Sequence, residues 1–118
     1  MSRRNKNIGD WGEKQACLFL QRKGFRVIDR NYHATVGEID IVAEKGGDYY
    51  FIEVKTRAAG ELANDLAVTR SKKFKLGKTI RHYCYHRAIT EGSQILASLM
   101  VIYDRATRAV SFRLAAIY

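Results

Sequence analysis

An α/β fold, a central mixed β-sheet flanked by helices in the order α-β-β-β-α-β-β, follows from three features of these 118 residues. Two stretches keep helical spacing of their apolar residues, and strand-type segments lie between and after them. A Gly-Gly turn joins two alternating segments into a hairpin. Proline is absent, and no repeat or linker divides the chain, so positions 1–118 are expected to form one domain.

Residues 1–8, with Arg3, Arg4 and Lys6, are read as a basic, mobile arm. A first helix is expected from Asp10 to Lys23, stopped by Gly24, with Ala16, Cys17 and Leu20 on one stripe. Phe25 to Arg30 reads as a strand and Asn31 to Thr35 as a connector. Val36 to Glu44 and Tyr49 to Lys55 alternate as strands about Gly46-Gly47. Ala58 to Asn64 reads as a loop. A second helix is expected over Thr69 to Arg87, where Leu76, Ile80, Tyr83 and Cys84 keep the spacing, and Gly77 inside it suggests close packing or a kink. Ile95 to Tyr103 is an apolar strand of the buried type, Asp104 to Arg108 a turn, and Val110 to Leu114 a closing strand.

Hydrophobic residues make up 47% of the chain, enough for a real core. There is no long apolar run and no signal-peptide pattern at the start, which places the protein in the cytoplasm without a membrane partner. Cys17 and Cys84 form no C-x-x-C and read as reduced core residues. The net charge is +9, and no acidic residue falls between Asp65 and Glu91. That interval holds Arg70, Lys72, Lys73, Lys75, Lys78, Arg81 and Arg87, a basic helix suited to the phosphates of a nucleic acid.

The hairpin carries the chemistry. With Gly46 and Gly47 as its turn, Asp40 lies opposite Glu53 and Lys55 opposite Glu38, all four on one face. Facing carboxylates destabilise a sheet unless something binds them. A wet, charged sheet face would also carry such residues, but Val42, Tyr49 and Phe51 share this face. Two carboxylates and a nearby ammonium are what metal-dependent phosphodiester hydrolysis needs. Asp40 and Glu53 can hold Mg²⁺ or Mn²⁺, and Lys55 can position water or offset developing charge. Glu13 has two readings, a capping box with Asp10 or a further carboxylate of the site. His82 and His86 have zinc-like spacing without a third ligand, and His33 stands alone, so neither is read as a metal site. Tyr83, Tyr85 and Phe74 interleave with the basic residues and can stack on bases or pack on the sheet.

Gly37-Glu38-Ile39-Asp40 followed by Phe51-Ile52-Glu53-Val54-Lys55-Thr56-Arg57 resembles the PD-(D/E)xK nuclease superfamily. More closely it is similar to the bacterial YraN-like branch, itself similar to archaeal Holliday junction resolvases. The likeness runs from Gly9-Asp10-Trp11-Gly12-Glu13 through Gly24-Phe25 and Asp29-Arg30-Asn31 to both motif strands. It implies a restriction-endonuclease-like sandwich, with Asp40, Glu53 and Glu13 as metal ligands, Lys55 as catalytic lysine and Glu38 in a supporting position. The second half departs: Ala58-Ala59-Gly60 stands where a Phe-Gly motif is usual, and Leu96-Ala97-Ser98 where Arg-Phe-Asp is frequent.

The expected activity is that of a Mg²⁺- or Mn²⁺-dependent endonuclease, a hydrolase of phosphodiester bonds in DNA, with branched or recombination intermediates as candidate substrates. A non-catalytic nucleic-acid-binding adaptor that retains the nuclease fold is the alternative. Resolvase-like action on a two-fold junction implies a homodimer.

Overall fold

The computed structural model describes residues 3–61 and 69–117. The elements are α1 (Arg3–Arg22), β1 (Arg26–Ala34), β2 (Gly37–Lys45), β3 (Asp48–Ala58), α2 (Arg70–His86), β4 (Gln94–Tyr103) and β5 (Val110–Ala116). One five-stranded sheet runs in the order β1-β2-β3-β4-β5, antiparallel except where β4 returns parallel to β3 after α2. The expected α/β class and element order hold.

Each helix closes one face of the sheet. On the first face Ala16, Cys17 and Leu20 of α1 bury against Ile41, Ile52, Leu99 and Val101. On the second, Ile80, Tyr83 and Cys84 of α2 bury against Ile39, Val42, Phe51 and Leu96. The alternation of β3 and β4 supplies both layers, Phe51 and Leu96 to one and Ile52 and Ala97 to the other. Cys17 and Cys84 are free thiols within these layers. No helix among the described residues is long and apolar enough to cross a membrane.

Four boundaries differ from expectation. Helix α1 begins at Arg3, so positions 3–8 are helical rather than an arm and Asp10 lies inside the helix. The capping-box reading of Asp10 and Glu13 therefore fails. Gly9 alone is too weak a breaker to start the helix later, costing only about 1 kcal/mol relative to alanine. Ile8, half-buried, lines one groove with Trp11 and Tyr103, an apolar setting for the added turns. Strand β1 continues through the expected connector to Ala34, because Tyr32, His33 and Ala34 pair with Ile39, Glu38 and Gly37. The loop expected at Ala58 to Asn64 starts one residue later, since Ala58 still pairs with Tyr103, and positions 62–64 lie outside the described residues. Strand β5 runs on to Ala116 in register with Ala97. Helix α2 matches within a residue, with the Thr69 hydroxyl accepting from the Lys72 amide as its N-cap.

Two glycines set how closely the helices approach. A Cβ on Gly12 of α1 would overlap the Thr56 hydroxyl of β3. A Cβ on Gly37 of β2 would stand 2.6 Å from Thr79 Oγ1 of α2. Gly9, one turn earlier in α1, has open space around it. Gly12→Ala should therefore destabilise the protein by about 1–3 kcal/mol through overpacking. Gly9→Ala, in the same helix, should stabilise it by up to about 1 kcal/mol. Urea midpoints of the two variants check this, and midpoints moving in the same direction would contradict it.

Candidate active site

The site begins with the register of the β2–β3 hairpin. Gly46 and Gly47 take φ of 62° and 85°, the left-handed values that a two-residue turn requires. Pairing then follows the expected register from Lys45↔Asp48 to Ile41↔Ile52, and there it stops. The expected pairs of Asp40 with Glu53 and of Glu38 with Lys55 therefore do not form. Asp40 Oδ2 instead accepts a 2.8 Å hydrogen bond from the Val54 amide. A side chain thus takes a ladder donor, and the two strands part as a fork.

On its other edge β2 is irregular at the same residue. The β1–β2 ladder has a bulge between Val27 and Asp29, holds register from Asp29↔Val42 to Ala34↔Gly37, and steps over Asn31 and Asp40. Asn31 has φ of 53°, which asparagine tolerates better than most residues. Side chains change faces across this step. Ile41 packs in the α1 layer, whereas Ile39, two residues away, packs in the α2 layer with Tyr32. Asp40 sits at that half-twist and lines cavities on both sides, one of about 310 Å³ and one of about 1000 Å³.

The helices bring charges to the fork. Glu13 of α1 reaches the larger cavity, its carboxylate 13% exposed and its Oε1 3.7 Å from Arg30 Nη2. Glu53 lines the smaller cavity, 14% exposed, with Lys55 Nζ 3.6 Å from its Oε1 and Lys72 Nζ of α2 against the same oxygen. Two oxygens, Glu13 Oε1 and Glu53 Oε2, are buried without a hydrogen-bond partner. Burial pushes the Asp40 carboxyl above its usual range, with the charges of Glu53 and Glu38 adding to the rise against the Val54 hydrogen bond. Burial also lifts Glu13, helped by Asp40 and opposed by Arg30 and a hydrogen bond from Asn31. Burial pulls Lys55 down, with Lys72 and Arg57 reinforcing the fall and Glu53 resisting it. Lys72 is pulled down by burial but carried above its ordinary value by the hydrogen bond and charge of Glu53.

The fold brings Asp40 beside Glu13 at the larger cavity and beside Glu53 at the smaller, with Lys55 3.6 Å from Glu53. Among the described residues no three of His, Cys, Asp and Glu converge as a ready metal cage. Glu38 stands at the rim, 68% exposed and 3.5 Å from His33 Nδ1. Of the basic residues of α2, Lys72 and Lys75 line the smaller cavity and Lys73 is half-buried. Arg70, Lys78 and Arg81 face solvent with Phe74 and Tyr85, which are 62% and 83% exposed. Tyr83 belongs to the core and His82 Nδ1 lies 2.6 Å from the Tyr32 hydroxyl. Ser98, buried on β4, pairs beside Glu53, so serine holds the place where the family resemblance leads one to expect aspartate.

Arg30 and Asn31 escape a reading by residue type, Arg30 as the last residue of the expected first strand and Asn31 as the first of the expected connector. The positive φ at Asn31 leaves no periodic signal. Lys72 was legible as a phosphate contact but not as the partner of Glu53, a contact that depends on where α2 lands.

The family model described as "Uncharacterised protein family UPF0102" matches residues 12–114. A UPF0102 protein of Campylobacter jejuni is 42% identical over 88 residues, covering 74% of this chain and 77% of that one. One from Clostridium acetobutylicum is 34% identical over 90 residues, 75% of this chain and 74% of its own length. The match spans 65% of a relative from Syntrophomonas wolfei, at 40% identity. A solved structure of an fdxN element excision controlling factor protein from Anabaena variabilis is 19% identical over 84% of this chain and 92% of that one, with a TM-score of 0.32.

The raised Asp40 carboxyl has a consequence for stability. A folded-state pKa above the ordinary 3.8 means the folded chain binds more protons than the unfolded one between those values. The contribution to stability is complete below the ordinary pKa and is lost as pH rises through the raised one. In metal-free buffer Asp40→Asn, which keeps a carbonyl for the Val54 amide, should be more stable than wild type at pH 7 by about 1 kcal/mol. The difference should close toward pH 4. Denaturation midpoints across pH test it, and a variant less stable at neutral pH would refute it.

Proposed function

The chain belongs to the UPF0102 family, and we propose that it is a Mg²⁺- or Mn²⁺-dependent endonuclease hydrolysing phosphodiester bonds in DNA at the fork of β2 and β3. One observation carries the reading: among the described residues, the buried side-chain oxygens without a hydrogen-bond partner are Glu13 Oε1, with Arg30 at 3.7 Å, and Glu53 Oε2, both on carboxylates that neighbour Asp40. Buried acceptors without donors are costly, and native proteins rarely keep them without a use. Acceptor-only oxygens fit a hard cation. Mg²⁺ takes one or two carboxylates and keeps several waters, so a closed three-carboxylate cage is not required.

Asp40 and Glu53 would hold the ion, with Glu13 completing the set. When bound, the ion supplies a lowered pKa for water and neutralises charge on the phosphate. Lys55, held near Glu53, offsets negative charge as it builds on the phosphate oxygens. Arg30 restrains Glu13. Lys75 and the exposed basic face of α2 grip the backbone without reading bases, which gives steep salt dependence. Branched or recombining DNA, a homodimer to meet a two-fold substrate and a cytoplasmic location belong to the same proposal.

A second reading, a nucleic-acid-binding adaptor on a retained nuclease fold, is favoured by one contact. Lys72 already neutralises Glu53 as a cation would. Cleavage of supercoiled plasmid and of a four-way junction, with Mn²⁺ or EDTA, separates the two. Wild type should cut only with metal, and Asp40→Asn should fall by roughly 10²–10³ while DNA affinity persists. Mn²⁺ should also raise the melting temperature of wild type and not of the variant. Salt-sensitive binding without cutting would replace the enzyme with the adaptor.

A further inference from the structure

Beside the larger cavity lies a second groove, of about 400 Å³, that the proposed chemistry does not use. Its walls are apolar and aromatic: Ile8, Trp11, Tyr103 and Val110. Trp11 is 38% exposed, and its ring meets Tyr103 edge to face, with centroids 6.0 Å apart. The Arg105 guanidinium covers the Tyr103 ring at 5.6 Å. Ile8, Tyr103 and Arg105 line both this groove and the cavity of Glu13, Asp40 and Lys55, so the two are continuous.

We propose that this groove is a subsite for an unpaired nucleobase of the DNA strand whose backbone passes the fork. The proposal rests on the nucleic-acid reading of the site and names the feature of the substrate it takes. An aromatic wall under a guanidinium suits a base, which has a π-face whatever its sequence, whereas the paired bases of a duplex do not offer theirs. The size lies within the range of pockets that enclose small ligands. Charge at the groove itself agrees: Arg105 and Arg108 line it, whereas the acids Asp10, Glu13, Glu38, Asp40 and Glu61 lie in the adjoining cavity with Lys55 and Arg57. The one acid lining the groove, Asp104, is engaged by its own turn, its Oδ1 accepting from the Ala106 and Thr107 amides at 2.9 and 3.2 Å. Those bonds, with the Asp104 amide donating to the Ala109 carbonyl, fix the turn that carries Arg105 and Arg108. The groove is therefore formed before a ligand arrives. Arginines at its mouth favour a polyanion over an apolar partner.

Trp11 is the single tryptophan of the chain, so its emission reports on this groove alone. The full-length protein, in EDTA to prevent cutting, is titrated with single-stranded oligothymidylate and with a blunt duplex of equal length. The single strand should quench Trp11 and the duplex should not. Trp11→Ala should weaken single-strand binding about tenfold by anisotropy, within the range of one lost stacking contact. Trp11→Phe should restore most of it, which a role confined to folding would not predict. Unchanged Trp11 emission at saturation, equal affinity of Trp11→Ala, or no binding of the single strand would each overturn the subsite. A Trp11 signal that follows protein concentration without DNA would assign the groove to a second copy of the chain instead. Cutting plays no part in this titration, so loss of the nuclease reading and loss of the subsite are told apart.

Discussion

The hydrogen bond from the Val54 amide to Asp40 Oδ2 is the contact on which the site depends. In a regular hairpin β2 would carry on pairing with β3 beyond Ile41↔Ile52, and Glu53 and Lys55 would lie on a closed pleat. A buried amide must find an acceptor, and here the acceptor is a side chain. The strands can therefore separate without orphaning the backbone at Val54. Beyond the fork β3 remains anchored on its other edge by β4, with Glu53 paired to Ser98 and Lys55 to Met100. Glu53 and Lys55 thus stand on a rigid strand while the space before them is open. The half-twist at Asn31 and Asp40 completes this, because it turns Asp40 out of strict alternation and sets it between two cavities.

Two close contacts decide what enters that space. Gly12 lets α1 lie directly on Thr56, which places the next residue, Glu13, beside Asp40. Gly37 lets α2 approach β2 over Thr79, and the start of the same helix lays Lys72 on Glu53. Alanine at either glycine would lift a helix away from the carboxylates it serves. The cluster so formed is unfavourable for the fold, since burial raises Asp40 and Glu13 and lowers Lys55. Groups held against their preferred ionisation are found where proteins do chemistry more often than where they only pack.

Much of this was legible in the sequence, and the remainder shares a cause. The Gly46-Gly47 turn and the period of two are local, and they gave the hairpin register as far as Ile41↔Ile52, whereas the fork that leaves Asp40 and Glu53 unpaired carries no local signal. Helix α2 was legible because Leu76, Ile80, Tyr83 and Cys84 repeat at helical spacing over a long stretch. The start of α1 was not, because polar residues at 3–7 carry no periodicity and Ile8 lines its groove with residues distant in sequence. The reach of β1 to Ala34 and the positive φ at Asn31 are settled by pairing with β2, a tertiary effect that overrides residue type. Lys72 was read as one cation among many, since only the landing of α2 on the sheet distinguishes it.

Electrostatic balance links the fork to the rest of the surface. Among the described residues, the two cavities at the fork are lined by six acids, Asp10, Glu13, Glu38, Asp40, Glu53 and Glu61, and by five bases, Lys55, Arg57, Lys72, Lys75 and Arg105, with Arg30 on Glu13 as a sixth. The site is close to neutral, so the excess of +9 lies elsewhere, in part on the exposed face of α2. That division suits a polyanion. Exposed lysines and arginines attract it from a distance and weaken with salt, whereas a neutral site neither traps the phosphate too tightly nor repels it. A divalent cation on the carboxylates would tip the fork to net positive where the proposed reading puts a phosphate. On the proposed reading, carboxylates that alone would repel DNA would let the charge of a basic protein be switched locally by a metal.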